Sequence, residues 1–264
     1  MSPPGSGRTL RVEELWGTVI GVTTARPVDP DLIDPVFTWF HRVDDLFSTW
    51  RPDTEISRLA RGELRLDDAS TEVRAVLALC DEVRAVSEGA FDITVGADPR
   101  VAPRAGLGPI DPSGLVKGWA LERAADSLAE GGVTDFTVNA GGDVLTRGRP
   151  APGEEWRVGI QHPWERHKVA AVVAGIDIAI ATSGRYEQGE HIIDPRTGTA
   201  PAGLMAVTVI GADLALADGY ATAAIALGED GMQWLAQLPG VEAMGITDTR
   251  EVVLTDAFAH YRRC

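Results

Sequence analysis

The chain has 264 residues, 44% of them hydrophobic, and its 24 basic and 39 acidic side chains give a net charge of −15. This length and apolar fraction predict a globular protein with a sizeable buried core. The strong negative charge repels phosphate backbones and argues against nucleic acid as a partner. We find neither a membrane-length apolar segment nor the apolar run of a signal peptide, so we expect no membrane insertion and a cytoplasmic location.

The first predicted elements are a tail, a β segment and a helix. Residues 1–10 predict a flexible tail ahead of a single domain over residues 11–264. Residues 15–24 are rich in β-favouring side chains and contain two glycines that permit close backbone approach. Asp34 and Pro35 predict the N-cap and first position of a helix whose apolar face runs to residue 47.

A second amphipathic helix is predicted over residues 70–87, ending before Gly89. Cys80 lies on its apolar stripe, so we expect it to pack in the core. The only other cysteine is Cys264. Two cysteines provide neither a disulfide framework nor a cysteine metal site.

The rest of the chain mixes helices with short strands. Residues 95–112 are rich in glycine and proline and predict no element, whereas residues 116–130 and 214–227 predict helices. Strands are predicted over residues 136–138, 156–161, 169–173, 176–181, 207–210 and 252–254. There is no regular alternation of strand and helix, so the pattern indicates an α+β fold with mixed or antiparallel sheets and packed helices.

One candidate site lies on the predicted helix over residues 214–227. Asp218 and Thr222 are four residues apart and therefore share a helix face. A carboxylate and a hydroxyl are hard oxygen donors of the kind that Mg²⁺ prefers. The same spacing also suits a simple hydrogen-bonded pair or a solvated edge.

A second candidate site lies where a loop becomes a helix, at residues 111–118. Backbone amides at a helix start, here near Gly114 and Gly118, together with Lys117, can bind an anion. A lysine there is unfavourable to the helix dipole, which points to a bound negative group. Asp111 could bond a ribose or base edge. The alternative is a capped helix with a solvated lysine.

Two further segments are polar. Residues 139–143, Asn-Ala-Gly-Gly-Asp, predict a glycine turn between strands, and Asn139 and Asp143 could orient loops near a ligand. His191 lies between predicted turns at 182–184 and 194–198, and its titration range suits a general base, although a structural role is the alternative. The chain has no nucleophile elbow, Walker sequence or Gly-x-Gly-x-x-Gly pattern.

Taken together and in order, these segments resemble the ApbE family of FAD:protein FMN transferases. Each motif is short, but the ordered set is specific and extends over residues 11–245. The matching segments are residues 16–18, 48–58, 89–96, 111–118, 138–143, 181–184, 191–198 and 216–222.

The resemblance implies a T-fold-related α+β enzyme that binds FAD and Mg²⁺. Such an enzyme cleaves the FAD diphosphate and attaches FMN, through a phosphoester bond, to a Ser or Thr of an acceptor protein, releasing AMP. It implies metal ligation by Asp218, Thr222 and the carbonyl of Gly114, and catalytic roles for His191, Asp218 and Lys117. The implied FAD-binding residues are Trp16, Trp50, Ala90, Phe91, Asp92, Asp111, Lys117, His191 and Ile192.

The chain departs from the family pattern in three ways. It lacks the signal peptide and lipidated cysteine of many members, which implies an acceptor that is cytoplasmic or faces the cytoplasm. The stretch between Gly96 and Asp111 is shorter than usual, and Trp16 stands where the family commonly has Met. Two alternatives stay open at the level of sequence: a Mg²⁺-dependent FAD pyrophosphatase that gives free FMN and AMP, and a non-catalytic flavin-binding protein.

Overall fold

The computed structural model describes residues 7–94, 110–185 and 193–263. Its strands form an eight-stranded sheet, ordered β1-β2-β3-β4-β7-β8-β9-β10, and a three-stranded sheet, ordered β11-β6-β5. The strands are β1 (Thr9–Leu15), β2 (Thr18–Thr24), β3 (Phe136–Ala140), β4 (Asp143–Arg147), β5 (Trp156–Gln161), β6 (Val169–Gly175), β7 (Ala179–Gly184), β8 (Leu204–Gly211), β9 (Glu242–Thr247), β10 (Val252–Leu254) and β11 (Arg262–Arg263). The helices are α1 (Asp34–Phe47), α2 (Glu55–Ala60), α3 (Thr71–Val86), α4 (Ser113–Glu130), α5 (Leu214–Leu227) and α6 (Gly231–Leu235).

The large sheet separates the helices from the small sheet. Alternate side chains of a strand point to opposite faces, and β8 follows this rule. Val207 and Val209 join the core beneath the helices, whereas Ala206 and Ile210 join the core beneath the small sheet. All pairings between the described strands are antiparallel. The predicted α+β class is confirmed.

The helices form from ordinary local signals. Ser70 caps α3 by accepting a hydrogen bond from the Val73 amide at 3.3 Å, and Gly89 follows the helix with a left-handed φ of 83°. Asp213 caps α5 by accepting from the Leu216 amide at 2.8 Å. Helix α5 is buried on most of its surface, because it packs between the large sheet and helices α3 and α4. None of the described helices is both long and apolar enough to cross a membrane.

The antiparallel register brings three separate segments to one end of the large sheet. The turn after β1 (Trp16–Gly17) and the turn after β3 (Gly141–Gly142) lie at the same end, because consecutive strands reverse direction. Strand β7 runs antiparallel to β4, with Val144 opposite Ile180, so β7 terminates where β4 starts. Ser183 therefore lies at this end as well. We call it the Gly141 end.

Some predicted boundaries were wrong. Helix α4 begins at Ser113, three residues before the predicted start, and Asp34 is the first residue of α1 and not its N-cap. Residues 182–184 belong to strand β7 and do not form a turn. The strand predicted over 176–181 is displaced because Asp177, with a φ of 53°, lies in the turn before β7. Strand β1 begins at Thr9, inside the predicted tail.

Candidate functional site

Helices α4 and α5 cross each other in direct contact, and this crossing brings the residues of the candidate site together. A Cβ atom added to Gly118 would lie 2.4 Å from the backbone oxygen of Leu214, closer than real Cβ contacts occur. Glycine therefore lets the two backbones touch. The Gly118 amide donates a hydrogen bond to Asp218 Oδ2 at 3.2 Å across this contact.

The crossing is antiparallel and has three successive contacts at four-residue spacing. Gly114 on α4 lies opposite Thr222, whose Oγ1 is 3.5 Å from the Gly114 carbonyl oxygen. Gly118 lies opposite Asp218. Glu122 accepts a hydrogen bond from the Leu214 amide at 2.7 Å, and burial raises the pKa of its carboxyl group. Because each helix turn repeats after about 3.6 residues, these three contacts fix the relative rotation of the two helices.

Lys117 connects the crossing to the sheet. Its ammonium Nζ lies 2.5 Å from Asp143 Oδ2 and 3.8 Å from Asp218 Oδ1. Both carboxylates are buried, whereas the lysine side chain is 31% exposed. Asp143 Oδ1 also accepts from the Thr182 amide at 3.2 Å, which ties the start of β4 to β7. The cluster places a partly exposed cationic group beside two buried carboxylates.

The predicted metal ligands lie at the same crossing. The Asp218 carboxylate, the Thr222 hydroxyl and the Gly114 carbonyl belong to adjacent turns of two helices in contact. All are hard oxygen donors, and only one is anionic. No group of three or more His, Cys, Asp or Glu side chains in the described part of the chain has metal-binding geometry. This donor set fits Mg²⁺, which keeps waters and substrate phosphates in its coordination shell.

The predicted FAD-binding residues near α4 have structural partners. Phe91 and Ala90 are buried, and a Cβ added to Gly114 would lie 3.3 Å from the Phe91 ring. Asp111 accepts a hydrogen bond from the Ser113 amide at 3.0 Å and so caps the first turn of α4. Asp92 pairs with Arg84 at 2.9 Å. Phe91 and Asp111 thus adjoin the crossing.

The two tryptophans predicted to bind FAD differ in their burial. Trp50 is 90% exposed on the loop between α1 and α2. Trp16 packs edge-on against Phe40, with ring centroids 5.5 Å apart, and has a left-handed φ of 57°. Its indole Nε1 is buried with no hydrogen-bond partner among the described residues. Such an orphaned donor at the Gly141 end suits a ligand that supplies an acceptor.

His191 and Ile192 lie outside the described residues, so their predicted roles stay predictions. Asp194 is 7% exposed and accepts two charge-assisted hydrogen bonds from Arg196, at 2.9 and 3.0 Å. The guanidinium lowers the pKa of the Asp194 carboxyl. The Asp194-to-Gly198 turn that the sequence predicts is present.

Comparisons with known proteins agree with this architecture. A family model described as the ApbE family matches residues 16–104 and 105–245. The chain belongs to the ApbE family. The resemblance drawn from the ordered motifs is thereby confirmed.

Individual members of the ApbE family are similar over most of the chain. An FAD:protein FMN transferase from Vibrio cholerae is 30% identical over 309 aligned residues, covering 99% of this chain and 89% of the relative. Another from Klebsiella pneumoniae is 28% identical, covering 75% and 71%. The solved flavin transferase ApbE from Vibrio cholerae superposes with a TM-score of 0.82 at 25% identity, over 97% of this chain and 100% of that one. An ApbE protein from Thermotoga maritima, at 21% identity and a TM-score of 0.82, shares the fold over 98% of this chain and 100% of its own.

Sequence reasoning undervalued two residues of the site. Asp143 was expected only to orient a loop, yet it contacts Lys117 directly. Ser183 was placed in a turn and given no role, yet its Oγ lies 3.1 Å from Thr222 Oγ1. A polar residue that opens a strand straight after a two-glycine turn is a signal that could have identified Asp143. The sequence offers no comparable signal for Ser183.

Proposed function

We propose that this chain is a Mg²⁺-dependent FAD:protein FMN transferase. It cleaves the diphosphate of FAD, joins FMN through a phosphoester bond to a Ser or Thr hydroxyl of an acceptor protein, and releases AMP. The observation that carries this proposal is the convergence of Lys117, Asp218 and Thr222 where α4 crosses α5. A cation and hard oxygen ligands at a helix N-terminus suit a diphosphate with its metal.

The chain's own residues bind and neutralise the substrate. Lys117 offers its ammonium group to phosphate oxygens, while Asp143 at 2.5 Å holds that group in place. The first-turn amides of α4 present partial positive charge to the same region. Asp218, Thr222 and the Gly114 carbonyl would hold Mg²⁺, which supplies charge neutralisation to the diphosphate when bound. Positioning and charge neutralisation are the main requirements of phosphoryl-type transfer.

The transfer of FMN to the acceptor hydroxyl requires one general base. The acceptor hydroxyl oxygen attacks the phosphorus of the FMN half, the bond from that phosphorus to the bridging oxygen breaks, and AMP leaves with the bridging oxygen. The hydroxyl proton must be taken up, and His191 is our proposed base, because a neutral imidazole accepts protons near neutral pH.

One incubation tests the function. The purified protein is mixed with FAD and MgCl₂, with and without candidate acceptor proteins, and AMP is followed by chromatography and flavinylation by in-gel fluorescence. We expect AMP together with a fluorescent acceptor, both dependent on Mg²⁺. AMP and free FMN formed equally well without any acceptor would indicate a pyrophosphatase, and FAD bound without cleavage would indicate a flavin-binding protein.

A matched pair of variants links this result to the site. Asp218→Asn should abolish AMP release, because the buried carboxylate is the only anionic ligand assigned to the metal. Asp126→Asn changes an exposed carboxylate on α4 that pairs with Arg123 at 3.5 Å, and should leave AMP release unchanged. Equal activity of the two variants would contradict the site assignment.

A further inference from the structure

A serine on the sheet contacts α5, the helix that carries two of the three assigned metal ligands. Strand β7 sends Ala181 into the core beneath the helices, so Ser183, two residues further on, faces the same way. Its Oγ lies 3.1 Å from Thr222 Oγ1. Thr182, between them, faces the other way, and its hydroxyl lies 2.9 Å from that of Thr208. Ser183 is thus the hydroxyl of this strand that reaches α5.

The chemistry of a hydroxyl ligand indicates which of the two hydroxyls donates the hydrogen bond in this contact. A threonine hydroxyl has one proton and two lone pairs. To bind a cation through oxygen it must offer a lone pair, so its proton has to point to another acceptor. Within the described part of the chain, two oxygens lie within reach of Thr222 Oγ1: the Gly114 carbonyl at 3.5 Å and Ser183 Oγ at 3.1 Å. The Gly114 carbonyl is the more distant of the two acceptors and is itself an assigned ligand, so one of its two lone pairs would be directed to the cation.

We propose that Ser183 is a positioning residue that accepts the proton of the Thr222 hydroxyl and so directs the Thr222 oxygen toward bound Mg²⁺. This inference rests on the proposed function, since it needs the metal assigned there. Ser183 suits the role because its backbone is held by the pairing of β7 with β8, opposite Val207. A fixed acceptor removes rotational freedom from the ligand before the metal arrives, which is how neighbouring groups tune metal sites.

Direct metal binding tests the proposal without relying on turnover. Mn²⁺ is titrated into the whole protein and followed by electron paramagnetic resonance, and MgCl₂ is then added as a competitor. For Ser183→Ala we expect affinity to fall by roughly 5- to 10-fold, the equivalent of one neutral hydrogen bond. Ser183→Thr restores an acceptor at the same place and should return the affinity to within about twofold of wild type.

Two controls separate positioning from a general structural role. Thr208→Val removes the hydroxyl pair on the opposite face of the sheet, and should lower the melting temperature while leaving Mn²⁺ affinity unchanged. Thr222→Val removes the partner of Ser183, so adding Ser183→Ala to it should cause no further loss of affinity. This non-additivity is the signature of two residues that act through one contact.

The outcomes that contradict the proposal are distinct. Wild-type affinity in Ser183→Ala, or an equal loss in Thr208→Val, would overturn the positioning role while leaving the metal site in place. An additional loss in the double variant would show that Ser183 acts independently of Thr222, which also overturns it. A wild-type protein that binds neither Mn²⁺ nor Mg²⁺ would overturn the metal assignment of the proposed function and this inference with it.

Discussion

Replacing Gly118 with alanine tests the helix crossing on which the site depends. The added Cβ would lie 2.4 Å from the Leu214 oxygen and 2.7 Å from its carbonyl carbon. Ordinary contacts begin near 3.4 Å, so the helices must separate by about 1 Å. The atoms in the way are backbone, so no rotamer change can relieve the clash.

The expected magnitude is the sum of three terms. Overpacking of a tight core contact costs about 1–3 kcal/mol. Loss of the Gly118 amide bond to the Asp218 carboxylate costs roughly 1.5–3 kcal/mol, because the acceptor is charged. Alanine regains about 1 kcal/mol of helix propensity. We therefore expect Gly118→Ala to lower the free energy of unfolding by about 1.5–5 kcal/mol, and to weaken Mg²⁺ binding because Asp218 loses its backbone donor.

Gly219→Ala is the matched control for this prediction. It places a Cβ on the partner helix, one residue from Asp218, but the nearest atoms are side-chain methyl groups of Val83 at 3.1 Å and Leu115 at 3.3 Å. Those groups can shift, so the loss should be markedly smaller. Urea unfolding followed by circular dichroism measures both variants. Equal stability of the two, together with an unchanged Mg²⁺ requirement in Gly118→Ala, would refute the argument.

Three further predictions concern the metal, the base and the buried thiol. Asp218→Ala should abolish Mg²⁺-dependent AMP release while circular dichroism shows an intact fold. Thr222→Ala should lower AMP release less, because water can replace a neutral hydroxyl. AMP release at the wild-type rate from Asp218→Ala at low Mg²⁺ would contradict this prediction. His191→Ala should slow flavin transfer by roughly 10²–10⁴-fold with FAD binding retained, and the wild-type rate should rise with pH through the imidazole pKa; near-normal transfer at saturating FAD would exclude the base role. Burial, aided by nearby carboxylates, raises the pKa of the Cys80 thiol to about 12. In a Cys264→Ser background, Cys80 should therefore react with a thiol reagent at pH 8 only after unfolding. Rapid reaction of the native protein would show that the Cys80 thiol is accessible.

Predictions from sequence succeeded where a residue's neighbours along the chain decide the outcome. The helix over residues 214–227 was predicted with both of its ends correct. Its alanine-rich sequence favours a helix, and the acidic cap before it and the glycine after it mark its two ends. The two-glycine turn before Asp143 was confirmed for the same reason. The start of α4 was predicted three residues late, since Ser113 and Gly114 are weak helix formers that are held there by the Asp111 cap and the contact with α5.

The sequence by itself determined the family and the α+β class, and it indicated the residue types that we propose for binding a diphosphate and its metal. Those conclusions need only short motifs, their order and their local periodicity. The tertiary structure alone decided that Asp143 holds Lys117 and that Ser183 contacts Thr222. Each of those contacts joins a strand of the large sheet to a helix that is distant in sequence. The geometry of these contacts depends on the strand register and on how closely the two helices approach at Gly118. Neither can be read from the residues that neighbour the contacting side chains along the chain.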